Sequence, residues 1–314
     1  MTIPDKKKLI DAHERIKPFI HRTPVLTSSS INYISGLDLF FKCENFQKIG
    51  AFKIRGACNA VFSKDEAQLK NGVATHSSGN HAQALAYAAN VRKIPAFIVM
   101  PENAPKVKVD AVRGYGAEIF FCEASQESRE STIAKILLET GAVYVHPFND
   151  YQIIAGQSTV ARELIEQVQD LDIIITPVGG GGLLSGTALA AKYFSSGTRV
   201  MAGEPEGAND AYLSFTSGKL ISNKNVDTIA DGLLTNLGDR NFEIIKEHVD
   251  QIITVADDEI ISAMKLLWER MKIVIEPSGA VPLAAILKSK KEFNGKRVGV
   301  ILSGGNVDLG KLPF

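Results

Sequence analysis

One lysine lies in an apolar setting, in the segment Gly50-Ala51-Phe52-Lys53-Ile54-Arg55-Gly56-Ala57. Lys53 stands between two large apolar residues, shortly after the predicted strand Leu39–Lys42. Burial of its stem would disfavour the ammonium form and lower the pKa of the amine. Such an amine is a nucleophile that can form a Schiff base with a carbonyl compound. Lys53 is therefore the first candidate catalytic residue, although a lysine taken at random is usually a surface residue.

Four successive glycines, Gly179, Gly180, Gly181 and Gly182, separate a mostly apolar predicted strand, 173–178, from a predicted helix that runs to about Phe194. Glycines leave backbone N–H groups unobstructed, and a helix N-terminus adds partial positive charge, so the segment suits a phosphate group. Its spacing matches neither the dinucleotide-binding nor the Walker pattern. A tight turn without a ligand is the alternative. The loop at Ser303, Gly304 and Gly305 also follows a predicted strand, and a polar side chain there could meet a ligand ring, although the loop alone is weak evidence.

A third polar segment, Ser77-Ser78-Gly79-Asn80-His81, follows the predicted strand Val73–Thr75 and opens a predicted helix. Loops at the carboxyl edge of a parallel sheet are where α/β proteins bind ligands. The alternative is that the serines or Asn80 only cap the helix. His81 is expected to be structural, because the sequence has neither a recognisable triad around it nor a Gly-x-Ser-x-Gly motif.

Two acidic residues, Glu204 and Asp210, flank Ala208 after the predicted strand Val200–Gly203. Their carboxylates, the Ala208 carbonyl and water would form the hard oxygen set that Mg²⁺ or Ca²⁺ requires. The spacing taken alone favours an acidic surface turn.

Predicted strands and helices alternate along the chain, which indicates an α/β protein with parallel sheets. At 314 residues the chain exceeds a single compact core, so two lobes are expected. Strands between residues 73 and 145 follow one another with short connections and could form a small parallel sheet of their own. The predicted helices span about 5–16, 80–91, 106–115, 154–168, 183–194, 257–271 and 279–288, and the remaining predicted strands span 23–26, 96–100, 118–122, 143–145, 252–255 and 298–302.

Charge and composition exclude several classes of protein. Thirty-five basic and 35 acidic residues give a net charge of zero, so a nucleic-acid partner is not expected. Three cysteines, Cys43, Cys58 and Cys122, have no paired spacing and fit reduced thiols. No apolar segment is long enough to cross a bilayer, and the N-terminus lacks a signal-type run. We therefore expect a cytoplasmic protein without a membrane partner.

These segments, together with Glu276-Pro277-Ser278-Gly279 and Ser303-Gly304-Gly305-Asn306, occur in the order found in the pyridoxal-phosphate-dependent serine/threonine dehydratase and serine racemase family, which the chain resembles over nearly its whole length. The resemblance implies fold type II, the tryptophan-synthase-β-like architecture. A large domain of residues 1–71 and 150–314 would then carry an inserted small domain of residues 72–149.

The resemblance also implies roles for particular residues. Lys53 is similar to the lysine that binds the cofactor and serves as catalytic base, and Ser78 is similar to a second catalytic group on the opposite face of the substrate. The cofactor-binding residues implied are Phe52, Lys53, Asn80, Gly179, Gly180, Gly181, Gly182, Leu183, Glu276 and Ser303. The substrate carboxylate would lie among Ser77, Ser78, Gly79 and His81. Ser303 would face the pyridine nitrogen as a neutral hydroxyl, which favours prompt loss of a β-leaving group.

The activity implied is dehydration of L-serine or L-threonine to a 2-oxo acid and ammonia, with serine racemisation in addition. Ser78 resembles the racemases, whereas Phe148 resembles the dehydratases. A 3-hydroxyaspartate dehydratase, a β-replacement enzyme of the cysteine-synthase type and a non-enzymatic ligand sensor remain open.

Racemase-like relatives also imply a divalent cation (Mg²⁺, Ca²⁺ or Mn²⁺) at Glu204, Ala208 and Asp210. They imply a homodimer and a nucleotide effector such as ATP. The effector site would use Ser28, Ser29, Ser30, Lys48, Gln83, Tyr115 and Asn306.

Overall fold

The computed structural model describes residues 2–104 and 106–314, and within them the strands form two separate sheets. The strands are β1 (Val25–Leu26), β2 (Asp38–Cys43), β3 (Val73–His76), β4 (Ala96–Pro101), β5 (Glu118–Cys122), β6 (Val143–Tyr144), β7 (Ile173–Pro177), β8 (Arg199–Pro205), β9 (Gln251–Val255) and β10 (Arg297–Leu302).

Helices connect nearly all of these strands, as parallel sheets require. They are α1 (Lys6–Ile16), α2 (Ser29–Ser35), α3 (Lys53–Phe62), α4 (Glu66–Leu69), α5 (Asn80–Arg92), α6 (Lys106–Gly114), α7 (Gln126–Thr140), α8 (Tyr151–Gln167), α9 (Gly182–Phe194), α10 (Asp210–Ser217), α11 (Asp239–His248), α12 (Asp257–Met271), α13 (Pro277–Lys288) and α14 (Lys290–Phe293). Short 3₁₀ turns lie at Lys17–Phe19, Glu44–Phe46, Glu206–Ala208, Asp231–Leu233 and Leu309–Lys311.

The larger sheet has the strand order β1-β2-β10-β7-β8-β9. All neighbours in it are parallel except β1, which pairs antiparallel with β2. Every residue of β7 is buried, which explains its apolar sequence, because helices cover both faces of the sheet there. Since the strands are parallel, the loops after β7, β8 and β10 emerge at one edge. The glycine segment, the acidic segment and Ser303 therefore share that edge.

The smaller sheet is wholly parallel and has the order β5-β4-β3-β6, so it is built only from residues 73 to 144. A sheet formed by this part of the chain was expected from the sequence. Helix α3 of the larger part packs against α5 of the smaller part, where Ile54, Ala57, Ala82 and Leu85 share one buried apolar cluster. The domain boundaries at residues 71–72 and 149–150 stay a prediction.

The sequence pattern missed five helices of seven or more residues, namely α2, α3, α7, α10 and α11. Helix α7 is the longest of them, and its first half, Gln126 to Thr132, is polar, so the apolar repeat that identifies a helix appears only late. Lys53 follows β2 in the chain, as expected from the sequence, and it is the first residue of α3. Within the described residues no helix is both long and apolar enough to cross a membrane.

A buried ionic network fixes the position of α3. The guanidinium of Arg55 donates to Glu44 at 2.7 and 2.8 Å and to Glu163 at 2.8 and 2.9 Å. Lys42 Nζ adds a 2.7 Å bond to Glu163. All four side chains are at most 2% exposed. Two cations and two anions therefore compensate one another inside the protein. Arg55, at the centre of this network, lies two residues after Lys53, the candidate catalytic lysine.

Candidate active site

The segment that carries Lys53 is paired with the Ser303 loop. Ala51 and Gly304 form an antiparallel bridge, Phe52 N donates to Ser303 O at 3.0 Å, and Gly305 N donates to Gly50 O at 2.9 Å. These bonds bring Lys53 and Ser303, which are far apart in sequence, to the same edge of the larger sheet. Ser303 is buried there.

The half-buried Lys53 amine lies against the segment of Pro147 and Phe148. Its Nζ donates to the Pro147 carbonyl at 3.1 Å and lies 5.4 Å from the Phe52 ring centroid and 6.0 Å from that of Phe148. Burial lowers the pKa of the amine to about 8, although the Glu276 carboxylate pulls in the opposite direction. The lowered pKa increases the fraction of Lys53 that is a free amine near neutral pH, and the free amine is the form that acts as a nucleophile or a general base.

The glycine loop presents unpaired donors beside this lysine. Helix α9 begins at Gly182 and has Gly181 as its N-cap, with φ of 91°. Among the described residues, none accepts a hydrogen bond from the backbone N–H groups of residues 179–183. A Cβ added at Gly180 would lie 2.3 Å from the Phe148 ring, so side chains are excluded. Five free N–H groups at a helix N-terminus form a site for a phosphate group.

Two asparagines and Glu276 close the site on the other side. Asn80 Nδ2 donates to both Glu276 oxygens, at 3.0 and 3.2 Å, and Asn306 N donates to Glu276 Oε2 at 3.1 Å. Asn306 Nδ2 in turn donates to Asn80 Oδ1 and to Ile49 O, both at 2.8 Å. Burial raises the pKa of Glu276 to about 7, and nearby Asp231 adds to the rise. Glu276 can thus gain or lose a proton near neutral pH.

The predicted substrate loop lies at the end of β3. Ser77 and Ser78 are half-buried, and Ser77 Oγ accepts a 3.3 Å bond from Gly79 N. Gly79 is the N-cap of α5, and no side chain caps that helix, so the capping interpretation of these residues is wrong. The His81 ring is buried with Nε2 3.3 Å from Val145 O, and burial keeps the pKa of His81 well below its usual value.

Two groups near Lys53 were not identified from the sequence. The Pro147 carbonyl binds the lysine amine, and Asn241 on α11 binds the carbonyls of Phe148 and Gly180. A backbone carbonyl leaves no signal in a sequence. Asn241 lies on a helix that the apolar pattern did not predict, so nothing marked it as part of the site.

The acidic segment lies at the same edge of the larger sheet. Glu204 accepts bonds from the backbone of Ala211 and Tyr212 at 2.9 and 2.7 Å, and Asp210 accepts bonds from Leu237 N and Asn223 Nδ2, both at 2.6 Å. Both acids are fully buried. Burial raises the pKa of Glu204 to about 9, helped by the nearby Asp210, and that of Asp210 to about 6.

Within the described residues neither acid forms a salt bridge, so both would gain from a cation. No group of three or more histidine, cysteine, aspartate or glutamate side chains there has metal-binding geometry. A cation at this segment would consequently need carbonyl and water ligands in addition to the two carboxylates.

The residues matched to a nucleotide effector fall into separate groups. Lys48 Nζ bonds to Tyr87 OH at 3.2 Å, and the Tyr87 and Tyr115 rings are 5.8 Å apart. Asn306 contacts Asn80, the first residue of α5, and Gln83 lies three residues later on the same helix. Ser28 caps α2, which begins at Ser29 and contains Ser30. No contact in the described chain joins these serines to Lys48 or Tyr115.

Comparison with known proteins places this geometry in a family. The family model for pyridoxal-phosphate dependent enzymes matches residues 16–304. The chain is 56% identical over 314 residues to a β-hydroxyaspartate dehydratase of Paracoccus denitrificans, covering 100% of both chains. It is 54% identical to a serine racemase of Dictyostelium discoideum, covering 98% of this chain and 96% of the relative.

The structure of maize serine racemase superposes with a TM-score of 0.96 at 49% identity, covering 98% of this chain and 95% of that chain. The match covers both sheets and the edge where the lysine, the glycine loop and the Ser303 loop meet. The chain therefore belongs to the pyridoxal-phosphate dependent enzymes of fold type II.

Proposed function

We propose that the protein is a pyridoxal-phosphate-dependent ammonia-lyase of β-hydroxy amino acids, which converts L-serine or L-threonine to a 2-oxo acid and ammonia and also racemises serine. The observation that carries the proposal is that the Lys53 amine, with its lowered pKa, lies 6.0 Å from the Phe148 ring, which also packs against Gly180 in the run of unpaired N–H groups at residues 179–183. The names of the serine racemase relatives support the same reaction class.

The residues present fit the cofactor. The N–H groups of Gly179 to Gly182 and of Leu183 would hold its phosphate, Lys53 would bind it covalently, and Phe52 would pack beside its ring. Asn80 and Glu276 would lie at its edge, with Ser303 at its nitrogen. When bound, pyridoxal phosphate supplies the electron sink that makes the α-proton of an amino acid removable.

The residues of the chain do the rest. Lys53 Nζ removes the α-proton, because its lowered pKa gives a free amine and the Pro147 carbonyl fixes its direction. The half-buried loop of Ser77, Ser78 and Gly79 holds the substrate carboxylate. His81 stays neutral behind that loop, since its pKa is far below neutrality. The β-hydroxyl leaves, and water releases ammonia from the product.

A dehydratase of 3-hydroxyaspartate is the second candidate. It is favoured by the 56% identity to the β-hydroxyaspartate dehydratase, which extends over the whole of both chains. The two candidates share one mechanism and differ only in whether the side chain of the substrate carries a carboxylate.

A substrate panel tests the proposal. Purified enzyme is supplied with L-serine, D-serine, L-threonine and the isomers of 3-hydroxyaspartate, and the 2-oxo acid and the enantiomer formed are both measured. We expect 2-oxo acid from at least one hydroxy amino acid and D-serine from L-serine. Product from the 3-hydroxyaspartates alone would establish the second candidate, and no product from any of them would overturn the proposal.

Ser78 is expected to separate racemisation from elimination. Racemisation needs a proton donor on the face opposite Lys53, whereas elimination from an L-substrate needs only the lysine and a leaving hydroxyl. Ser78→Ala should reduce D-serine formation and D-serine elimination by a factor on the order of 100 and leave L-serine elimination within about threefold. Chiral chromatography of both reactions checks this. Equal loss of all three activities would reduce Ser78 to a binding residue.

We propose further that Glu204, Asp210 and the Ala208 carbonyl bind Mg²⁺, or Ca²⁺ or Mn²⁺ in its place. The support is a pair of buried carboxylates without a salt bridge in the described chain. A chelator should lower the melting temperature by about 2 to 6 °C, because a cation that binds only the folded protein stabilises it and its removal takes that stabilisation away.

Added Mg²⁺ should restore the melting temperature of the chelated protein. The exposed Glu206, which pairs with Lys288, provides a matched control, and Glu206→Gln should keep the response to the chelator. Asp210→Asn should abolish that response. A melting temperature unaffected by chelation, together with no metal by elemental analysis, would count against the site.

A nucleotide effector, a homodimer and a cytoplasmic location complete the proposal. The Lys48–Tyr87–Tyr115 cluster supports the effector, because a lysine beside two tyrosine rings suits a phosphate and a base. The homodimer rests on the family resemblance alone, and the location is supported by the three cysteines without paired spacing.

A further inference from the structure

Asn241 ties together two segments of the candidate active site. It is fully buried on α11, and its Nδ2 donates to Gly180 O at 2.8 Å and to Phe148 O at 3.2 Å. If the amide were flipped, Oδ1 would face the carbonyl oxygens of Gly180 and Phe148, and neither contact could be a hydrogen bond. Nδ2 is therefore the atom that faces them. One side chain therefore bonds both the glycine loop and the segment whose Pro147 carbonyl binds Lys53.

The bond to Gly180 also sets the direction of a backbone donor. Gly180 O accepts a second bond from Gly238 N at 3.2 Å, so two donors from the α11 side hold this carbonyl. In a planar trans peptide the C=O and the N–H of the next residue point in opposite directions. The Gly181 N–H consequently points away from α11. It is one of the five N–H groups to which no described residue offers an acceptor.

Simple packing does not explain Asn241. Its Oδ1 is buried and has no hydrogen-bond partner among the described groups. An unpaired buried acceptor is unfavourable, and an apolar side chain of similar size would fill the space without it. The donor function of Nδ2 toward the two carbonyls is what the asparagine provides.

We propose that Asn241 is a positioning residue of the phosphate-binding loop. It holds the Gly180–Gly181 peptide so that the Gly181 N–H faces the phosphate of the cofactor. This inference rests on the proposed function, because it takes the anion to be the phosphate of pyridoxal phosphate. Without the amide, only the longer bond from Gly238 N holds the Gly180 carbonyl, so the peptide is less constrained and the contact of the Gly181 N–H with the anion weakens.

The test compares two ligands that differ only in the phosphate. The metal-saturated apoenzyme is titrated with pyridoxal phosphate and with pyridoxal, and binding is followed by absorbance. Asn241→Ala should weaken binding of pyridoxal phosphate by about 10- to 100-fold and change binding of pyridoxal by less than about twofold. Asn241→Asp should weaken the binding of pyridoxal phosphate further, since its carboxylate repels both the carbonyl oxygens and the phosphate.

Asn59 offers a matched control. It is fully buried, its Nδ2 donates to Gln152 O at 2.7 Å, and it lies six residues after Lys53 on α3. Asn59→Ala likewise removes a buried amide that donates to a backbone carbonyl. It should leave the ratio of the two affinities at the wild-type value, even if it lowers stability.

The outcomes separate this inference from the proposed function. Wild-type protein that binds both ligands equally would overturn the phosphate role of the loop and, with it, the proposed function. A wild-type ratio kept in Asn241→Ala, or equal weakening of both ligands, would overturn only the role of Asn241. If neither variant folds, the test is an NMR titration of the wild-type apoenzyme with inorganic phosphate. The resonance of the Gly181 amide should shift when phosphate is added. An unchanged resonance would contradict the inference.

Discussion

Lys53→Ala is expected to reduce 2-oxo acid formation from every substrate by a factor on the order of 10³ or more. The Lys53 amine, with a pKa lowered to about 8, supplies the free base of the reaction, and an alanine side chain supplies none. The variant should also lose the absorbance band of covalently bound cofactor while still binding its phosphate. Activity assays and spectra of the reconstituted protein measure both effects.

Two controls define the cause of the loss. Lys53→Arg keeps the positive charge but cannot act as a base, because the guanidinium stays protonated. It should therefore be as inactive as Lys53→Ala. Lys291→Ala removes an exposed lysine and should leave activity unchanged. Substantial elimination by Lys53→Ala, or activity retained by the arginine variant, would refute the role of Lys53.

Arg55→Met is expected to lower the free energy of unfolding by about 3 to 5 kcal/mol. The substitution leaves the carboxylates of Glu44 and Glu163 buried without the guanidinium that donates to both. Urea denaturation measures the change. Arg22→Met removes a surface pair with Glu166, in which the side chains are 57% and 39% exposed, and should cost less than about 1 kcal/mol.

The same network should make the protein acid-sensitive. Burial alone would raise the pKa of Glu163, but Arg55 and Lys42 outweigh it and hold the pKa below its usual value of 4.5. The folded state then binds fewer protons than the unfolded chain, so this stabilisation is present above pH 4.5 and is lost as the pH falls through the folded pKa.

Replacing Glu44 and Glu163 by glutamine in the Arg55→Met background should recover part of the stability. Lys42 is then the one member of this network that keeps a buried charge without a charged partner. If Arg55→Met unfolds at the same urea concentration as the wild-type protein, the network contributes little to the free energy of unfolding.

The sequence by itself determined the parts of this protein that depend on local pattern. Alternating apolar strands and helices specify the α/β class, because their periods of two and 3.6 residues are read from neighbours in the chain. The glycine run at 179–182 and the apolar flanks of Lys53 are local as well, so the candidate phosphate site and the candidate catalytic lysine could be predicted from the sequence. The boundaries of most strands followed for the same reason.

Only the tertiary structure decided which groups surround these residues. Pro147 lies 94 residues from Lys53, Asn80 lies 196 residues from Glu276, and Asn241 lies 61 residues from Gly180. Such pairs meet because the strands of each sheet are parallel and their loops leave at one edge, an arrangement set by packing of the whole chain. The orientation of a peptide N–H likewise depends on what binds its neighbouring carbonyl, and that partner comes from another element of the fold.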